Sequence, residues 1–297
     1  VKMPLPCTGG HEVSGEIVAL GDGVNKKMWA PGDRVAVRLL YNCGECYYCR
    51  TGHANLCERA QKKPVREGLL IGPGGLCDYV IVNTGYLFKI PDTLSYEEAS
   101  LTEPLACVVH SVTKANIQLG EDVVVIGGGI MGQYHVMLAK RRGARVIMSE
   151  VDESRRALAR KLGADITFNP MEKDPVEYVK SLTEGRGADV VFNTTAIPSV
   201  VPQAIAMTGK AGRMIQYSSM HPDAPAPVSP QMLHGNEPIL TGSISPDVHD
   251  FFTANRLLSG GIIDCKPLIA KKFPFEQAQQ AFEAAIVPGT FRVIITD

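Results

Sequence analysis

The sequence has no excess of charge of either sign and no long apolar run. Its 30 Lys and Arg balance 31 Asp and Glu without any prominent basic run, so we expect neither a nucleic-acid surface nor a polybasic membrane patch. No apolar stretch approaches the length of a bilayer span, and the opening residues lack a signal-peptide pattern. A cytoplasmic protein is therefore predicted. With 297 residues, 45% of them hydrophobic, the chain is long enough for two domains.

Four of the eight cysteines lie within one short segment, as Cys43, Cys46, Cys49 and Cys57. Clustering of this kind indicates a metal site rather than a disulfide framework. Four thiolates close a tetrahedral zinc site with no open position, so its role would be structural. An iron–sulfur cluster and unmetallated thiols remain alternatives, although ferredoxin runs usually continue with three residues and a Cys-Pro pair.

The first hundred residues show a β pattern. Apolar runs at 13–20, 34–40 and 78–82, with turn-forming Gly, Pro and Asp between them, predict strands. Around 96–115 the period of the apolar residues becomes helical.

From residue 122 strands and helices alternate. Unbroken apolar runs predict buried strands at 123–126, 145–148, 189–192, 212–217 and 239–242, with a helix at 154–162. This alternation predicts an α/β fold with a doubly wound parallel sheet. The last part predicts helices at 247–258 and 275–285 and a closing strand at 292–296.

The strand at 123–126 runs directly into a glycine-rich turn. Gly127, Gly129 and Gly132, with Ile130 and Met131 between the last two, make a G-x-G-x-x-G pattern. The glycines permit a tight turn, a close approach of the backbone to a pyrophosphate, and close packing of the next helix. A strand before and a helix after it make this turn a predicted dinucleotide site.

The next strand ends at Glu150. A carboxylate there accepts hydrogen bonds from the ribose hydroxyls of NAD and repels the extra phosphate of NADP. We therefore predict NAD, while the nearby Arg155 and Arg156 leave NADP open, and a merely solvated strand end is the plainer alternative for Glu150.

A second metal site is suggested by residues far apart in sequence. His11 and Glu12 precede the first strand within Gly-His-Glu, and Glu103 opens Glu-Pro-Leu-Ala in the helical region. A lone His-Glu pair usually belongs to a surface turn. A carboxylate at Glu103 would close a catalytic zinc site with His11.

These four features, in this order, closely resemble the zinc-containing medium-chain dehydrogenases over essentially the whole chain. The Glu-Pro-Leu-Ala segment resembles the sorbitol and threonine dehydrogenase branch. The resemblance implies a GroES-like catalytic domain at 1–104, a Rossmann NAD-binding domain at 105–245, and a return to the catalytic domain at 246–297. It implies zinc, NAD, a small-molecule alcohol substrate, and a homo-oligomer, a dimer or tetramer.

The resemblance also implies roles for single residues. His11 would be a catalytic zinc ligand, and Glu12 and Glu103 would be ligands or exchange with zinc-bound water. Arg292 would contact the cofactor pyrophosphate, and Arg155 would reach the adenosine ribose.

One departure concerns the family's first zinc ligand, a cysteine upstream of Gly-His-Glu that a Ser or Thr of the proton relay follows. Neither is present here. We expect them to precede this sequence, and a damaged catalytic zinc site is the alternative. Cys7 is placed too close to His11 and is interpreted as a loop thiol. His110 is expected to pack within its helix rather than face the cleft. Cys107 is interpreted as a small buried hydrophobe, with the nicotinamide pocket as its alternative.

The sequence thus predicts a zinc-dependent oxidoreductase that transfers a hydride from a secondary alcohol, a polyol or amino alcohol, to NAD. Two alternatives stay open. One is a zinc-free NADPH-dependent reductase of the same superfamily, against which Gly-His-Glu, the cysteines and Glu150 argue. The other is a non-catalytic nucleotide-binding relative, which only the missing upstream cysteine supports.

Overall fold

The computed structural model describes residues 6–60 and 72–297, within which the chain divides into two units. One unit comprises Val1–Val109 and Ser245–Asp297, and the other comprises His110–Ile244. The prediction about the opening segment falls largely on residues 1–5, which lie outside the described residues.

The described residues form eleven strands and ten α-helices. The strands are β1 Glu12–Glu16, β2 Arg34–Arg38, β3 Leu87–Lys89, β4 Asp122–Ile126, β5 Arg145–Ser149, β6 Ile166–Phe168, β7 Ala188–Asn193, β8 Thr208–Gln216, β9 Ile239–Gly242, β10 Ile269–Pro274 and β11 Arg292–Thr296. The helices are α1 Tyr47–Arg50, α2 Tyr96–Ser100, α3 Thr102–Ala115, α4 Ile130–Arg141, α5 Glu153–Leu162, α6 Pro175–Leu182, α7 Val200–Met207, α8 Pro230–Asn236, α9 Val248–Ser259 and α10 Ala278–Ala285.

The first unit is built on an antiparallel sheet of order β1-β2-β3 and a parallel pair of β10 and β11. Alternate residues of β2 and its neighbours point into one apolar cluster, which contains Ile17, Val35, Val37 and Leu39. β1 is the strand that matters for the site, because His11 directly precedes it and Glu12 begins it.

The predicted strand at 78–82 is wrong. Val80 and Val82 do pack against the apolar cluster while Tyr79 and Ile81 are exposed, so the alternation is real. Among the described residues, however, no strand is hydrogen-bonded to this segment, and a strand needs such a ladder. The third strand is instead the short β3, whose three residues carry too little pattern to be found from sequence.

The second unit is a parallel sheet of six strands in the order β6-β5-β4-β7-β8-β9. This is the doubly wound order of the Rossmann fold, in which the direction of winding switches between the strands here called β4 and β7. β4 is buried at every position because helices cover both faces of such a sheet. The predicted fold class is confirmed, and the loop after β4 lies at the edge where such sheets bind ligands.

Within the described residues, none of the helices is long and apolar enough to cross a membrane, and the longest, α3, has 14 residues.

Candidate functional site

Four cysteine side chains meet in the first unit around α1. Their sulfur atoms all lie within 4.8 Å of one another. The Sγ atoms of Cys43 and Cys49 are 4.0 Å apart, as are those of Cys46 and Cys57. Four sulfurs bound to one tetrahedral zinc are about 3.8 Å apart. The distances between the sulfurs are therefore nearly those of a zinc site.

Main-chain N–H groups point at these sulfurs. The N–H of Cys43 and that of Arg59 each donate to Sγ of Cys57 at 3.3 Å, and the N–H of Cys46 donates to Sγ of Cys43 at 3.4 Å. Such donors favour thiolate over thiol. The loop is thus folded to hold negative sulfur.

Two neighbouring thiols of the cluster differ in pKa. Main-chain N–H groups of Cys49 and Glu58 lower the pKa of Cys46 to about 6. Burial, together with the neighbouring sulfur of Cys46, raises the pKa of Cys49 to about 12. In such a cluster one thiolate disfavours ionisation of its neighbour. A bound cation offsets the repulsion between the negative charges, so that all the thiols can ionise. These residues therefore fit zinc.

His11, Glu12 and Glu103 form the second group. Their ligand atoms lie within 4.8 Å of one another, with Nε2 of His11 3.9 Å from Oε2 of Glu103. The turn from α2 into α3 brings Glu103 there, and Thr102 fixes this turn by donating from Oγ1 to the carbonyl of Ala99 at 2.7 Å. The side chain of Glu103 is only 4% exposed, whereas that of His11 is 48% exposed. The group is thus buried on one side and accessible on the other.

Both carboxyl groups are disfavoured as anions. Burial raises the pKa of Glu103, and the nearby Glu12 raises it further, while His11 opposes this. Burial also raises the pKa of Glu12 against the attraction of Arg292 and His11. A divalent cation would remove this penalty for both carboxylates. One imidazole and two carboxylates are ligands that zinc accepts, and three protein ligands leave a position for substrate. This group also fits zinc, and the ligand role of each residue stays a prediction.

Arg292, the first residue of β11, is paired with Glu12. Its Nη2 donates to Oε1 of Glu12, in a contact that joins residues 280 positions apart. The pair neutralises one of the two carboxylates. The contact with a cofactor pyrophosphate that the resemblance implies for Arg292 stays a prediction.

Cys107 contacts this ligand group. The thiol of Cys107 donates to Oε1 of Glu103 at 3.4 Å, and burial keeps it protonated by raising its pKa. Cys7 and His110 do not belong to either ligand group in the described residues.

The predicted dinucleotide loop follows β4 in the second unit, and α4 begins at its end. Gly127 has a φ of +97°, a conformation that side chains rarely adopt. A Cβ at Gly132 would overlap the carbonyl oxygen of Gly127. The first and third glycines are thus required for the turn and for close packing of α4, whose N-terminus is the part of this fold that binds a phosphate.

Glu150 follows β5 and faces this loop. Its side chain is 6% exposed. Oε2 accepts a hydrogen bond from the N–H of Gly128 at 2.5 Å, and Oε1 accepts one from the N–H of Asp152 at 2.9 Å. The carboxylate is therefore held beside the place where the adenosine ribose binds in this fold.

The two arginines that leave NADP open differ in their surroundings. Arg156 donates to the carbonyls of Glu150 and Val151 at 2.6 and 2.8 Å and pairs with Glu153 at 2.7 Å, so it is engaged within the chain. Arg155 has Nη1 3.9 Å from Oε2 of Glu150. Of the two, only Arg155 approaches the carboxylate that would meet the ribose.

Sequence reasoning missed one side chain and one hydrogen bond of these sites. Gln133, directly after the third glycine, is fully buried and donates to the loop. The available signal in the sequence was a polar residue directly after the third glycine. The hydrogen bond from Cys107 was missed although its spacing of four residues from Glu103 places both on one helix face.

Comparison with known proteins agrees with this geometry. Residues 1–92 match the model of the alcohol dehydrogenase GroES-like domain, and residues 131–260 match that of the zinc-binding dehydrogenase family. The chain is 33% identical to the D-arabitol-phosphate dehydrogenase of Enterococcus avium, over 98% of this chain and 81% of the relative. It is 33% identical to the L-threonine 3-dehydrogenase of Caldanaerobacter subterraneus subsp. tengcongensis, over 99% of this chain and 83% of the relative.

Among solved structures, a zinc-binding dehydrogenase from Sinorhizobium meliloti bound to NADP superposes with a TM-score of 0.89. It is 29% identical, and the match covers 99% of this chain and 84% of that one.

The chain belongs to the zinc-containing medium-chain dehydrogenases and is an alcohol oxidoreductase that uses a pyridine nucleotide. Within that family it falls in the branch of polyol and threonine dehydrogenases, as the Glu-Pro-Leu-Ala segment predicts.

Proposed function

We propose that this protein oxidises a secondary alcohol of the polyol or amino-alcohol class, with catalytic zinc at His11, Glu12 and Glu103 and with NAD as the hydride acceptor. The observation that supports this most is the convergence of one imidazole and two carboxylates within 4.8 Å, one of which, Glu12, is paired with the half-buried Arg292. The names of the relatives, a polyol-phosphate and a threonine dehydrogenase, support the substrate class.

The reaction converts an alcohol and NAD into a ketone, NADH and a proton. His11, Glu12 and Glu103 would hold a zinc ion that supplies Lewis-acid activation of the alcohol, and the glycine loop with Glu150 would hold the NAD that supplies the hydride acceptor. Glu103 has one oxygen tied to Cys107, which leaves Oε2 directed toward His11. Arg292 neutralises Glu12, so the site carries less negative charge than its two carboxylates alone would give it.

NAD is proposed over NADP because of Glu150. Its carboxylate is buried and held by two main-chain N–H groups, so it cannot easily turn away from a 2′-phosphate. Bringing a phosphate against a fixed, buried carboxylate is unfavourable. The four thiolates of Cys43, Cys46, Cys49 and Cys57 are proposed to hold a structural zinc.

Metal analysis together with a substrate panel tests this function. We expect two zinc ions per chain, one for each ligand group, and NADH formation with polyols, polyol phosphates or threonine in preference to primary alcohols. Reduction of an enone with NADPH by a zinc-free protein would favour the reductase alternative. Nucleotide binding with zinc at the thiols only, and no turnover of any alcohol, would favour the non-catalytic alternative.

Residues 1–104 and 246–297 are proposed to form the catalytic domain, and 105–245 the NAD-binding domain; the two units of the structure support this division. We also propose that the protein is a homo-oligomer, as the resemblance implies, which light scattering of the purified protein would test.

A cytoplasmic location is proposed from the thiols. All eight cysteines lie in the described residues and all are free. Clustered free thiols persist in reducing compartments and are oxidised elsewhere.

A further inference from the structure

A buried amide lies directly under the dinucleotide loop. Gln133, in the first turn of α4 and next to Gly132, is completely buried. Burying a primary amide costs free energy unless it is hydrogen-bonded, and an apolar side chain of the same length would fill this space without that cost. The hydrogen bonds of Gln133 must therefore offset the cost of burying its amide.

Both hydrogen bonds come from one nitrogen. Nε2 of Gln133 donates to the carbonyl of Gly128 at 2.9 Å and to the carbonyl of Arg155 at 3.0 Å. Oε1 is buried and has no partner among the described residues. Since both neighbours are acceptors, only the amide nitrogen can face them, which settles the orientation of the amide group.

The two carbonyls belong to the parts of the chain that meet the nucleotide. Gly128 is the middle of the glycine turn, and Arg155 lies in the first turn of α5, just beyond Glu150. The N–H of Gly128 is held by Glu150 while its C=O is held by Gln133. The central residue of the loop is thus fixed by side chains on both its N–H and its C=O group.

Gln133 and Glu150 complete a ring of contacts. Gln133 joins Gly128 to the main chain of Arg155, and the guanidinium of Arg155 lies 3.9 Å from the carboxylate of Glu150, which returns to Gly128. Removing the amide donor opens this ring at two points. The loop and the start of α5 could then move independently of each other.

We propose that Gln133 is a positioning residue for the dinucleotide: it holds the glycine loop and the start of α5 in one arrangement, so that the loop N–H groups and Glu150 meet the pyrophosphate and the ribose together. This rests on the proposed nucleotide site. Gln133 does not touch the nucleotide itself. It acts by ordering the binding groups in advance, which lowers the entropic cost of binding.

The test compares Gln133→Met, which keeps the length and removes the donor, with Met137→Leu, a conservative change at a buried position one turn further along α4. Calorimetric dissociation constants are measured for NAD and for ADP-ribose, with kcat at saturating NAD, zinc content and Tm for each protein. We expect Gln133→Met to bind both ligands about tenfold more weakly. We expect its kcat at saturating NAD and its zinc content to stay at wild-type values, and Met137→Leu to match wild type throughout.

A second variant separates positioning from packing. Gln133→Glu keeps the shape but its carboxylate cannot donate to two carbonyls, so we expect it to bind NAD at least as weakly as Gln133→Met.

Several outcomes overturn the inference. One is Gln133→Met binding NAD within twofold of wild type. Another is a result in which Met137→Leu weakens NAD binding as much as Gln133→Met does, with an equal loss of Tm. This result would show a general effect of packing in α4. If wild type binds neither NAD nor NADP, the proposed function fails and this inference fails with it; normal wild-type binding with an unaffected Gln133→Met overturns the inference alone.

Discussion

The thiol of Cys107 donates a hydrogen bond of 3.4 Å to Oε1 of Glu103, one helical turn before it, while Oε2 of the same carboxylate lies 3.9 Å from Nε2 of His11. The two oxygens of Glu103 thus have different partners. A hydrogen bond to the outer oxygen of a metal-binding carboxylate fixes the direction of the inner one.

Replacing this donor is expected to weaken the second metal site. Cys107→Ala frees the Glu103 carboxylate to rotate, so zinc affinity at this site should fall by about 10- to 100-fold, the range found for outer-shell partners. Cys107→Ser keeps a donor and should retain most of the affinity. Competition with a chromophoric chelator measures both. Equal affinities of Cys107→Ala and wild type would show that the thiol does not orient Glu103.

The thiol cluster is expected to support stability rather than nucleotide binding. Cys57→Ser removes one of four ligands, so we expect one zinc ion fewer per chain and a free energy of unfolding lower by about 3 kcal/mol or more. NAD affinity should change little, because the cluster and the dinucleotide loop belong to different units. Cys265→Ser is the control, since Cys265 is a buried thiol outside the cluster. A full complement of zinc in Cys57→Ser would contradict the assignment.

The nucleotide preference is expected to depend on the charge of Glu150. Glu150→Gln removes the negative charge and keeps an acceptor for only one of the N–H groups of Gly128 and Asp152, which bond to different oxygens of Glu150. NADP should therefore bind about tenfold more tightly than to wild type, with a smaller change for NAD. Glu153→Gln makes the same change of charge at an exposed position of α5. An equal shift in that control would mean that general charge, rather than Glu150, sets the preference.

The parallel sheet could be predicted because its strands carry their own signal. β4, β5 and β7 are short apolar runs between turn residues, and burial of almost all their residues leaves little room for polar side chains. β9 is more exposed and was predicted from its apolar residues alone. The thiol cluster was equally predictable, because all of its ligands lie within one short segment. The zinc-ligand role predicted for Glu103 depends on the resemblance, since nothing local distinguishes a ligand carboxylate from a solvated one.

Buried polar side chains were where sequence reasoning failed. Arg38 lies within the predicted strand at 34–40, yet it is 2% exposed and donates to the carbonyl of Leu40 at 2.7 Å and to Oδ1 of Asn42 at 2.9 Å. Gln133 is hidden in the same way. A polar residue in a strand or helix pattern is ordinarily assigned to the surface, and only the tertiary structure reveals the carbonyls that it satisfies.

His135 is expected to make stability depend on pH. It is fully buried on α4, where Nδ1 lies 2.8 Å from the carbonyl of Met131 and Nε2 lies 2.9 Å from Oγ of Ser111. Burial lowers its pKa to about 4 against the opposing hydrogen bond to Met131. Between that value and the ordinary pKa near 6.5, the unfolded chain therefore binds a proton that the folded chain does not.

The free energy of unfolding therefore includes the full contribution of neutral His135 above about pH 6.5. This contribution is lost as the pH falls toward about 4, and the loss is roughly 3 kcal/mol in total. Urea unfolding at a series of pH values measures it. His135→Gln should be less stable at neutral pH, because the ring packs on Phe192 and Tyr217, but its stability should decline less on acidification. His234→Gln, at an exposed position, should keep the wild-type slope. Parallel slopes for wild type and His135→Gln would rule out this origin of acid sensitivity.

Ala211 offers a stabilising substitution, because it has a φ of +56° within β8 and an exposed side chain. A Cβ in this left-handed conformation costs about 1 kcal/mol, a penalty that glycine does not have. We expect Ala211→Gly to raise the free energy of unfolding by about 0.5 to 1 kcal/mol, since relief of this strain exceeds the added flexibility of the unfolded chain. Ala270→Gly, at an exposed position of β10 that lacks a positive φ, should instead lower stability by a similar amount. Thermal or urea unfolding of both variants decides the matter: loss of stability in Ala211→Gly equal to that in Ala270→Gly would show that the backbone at Ala211 carries no such strain.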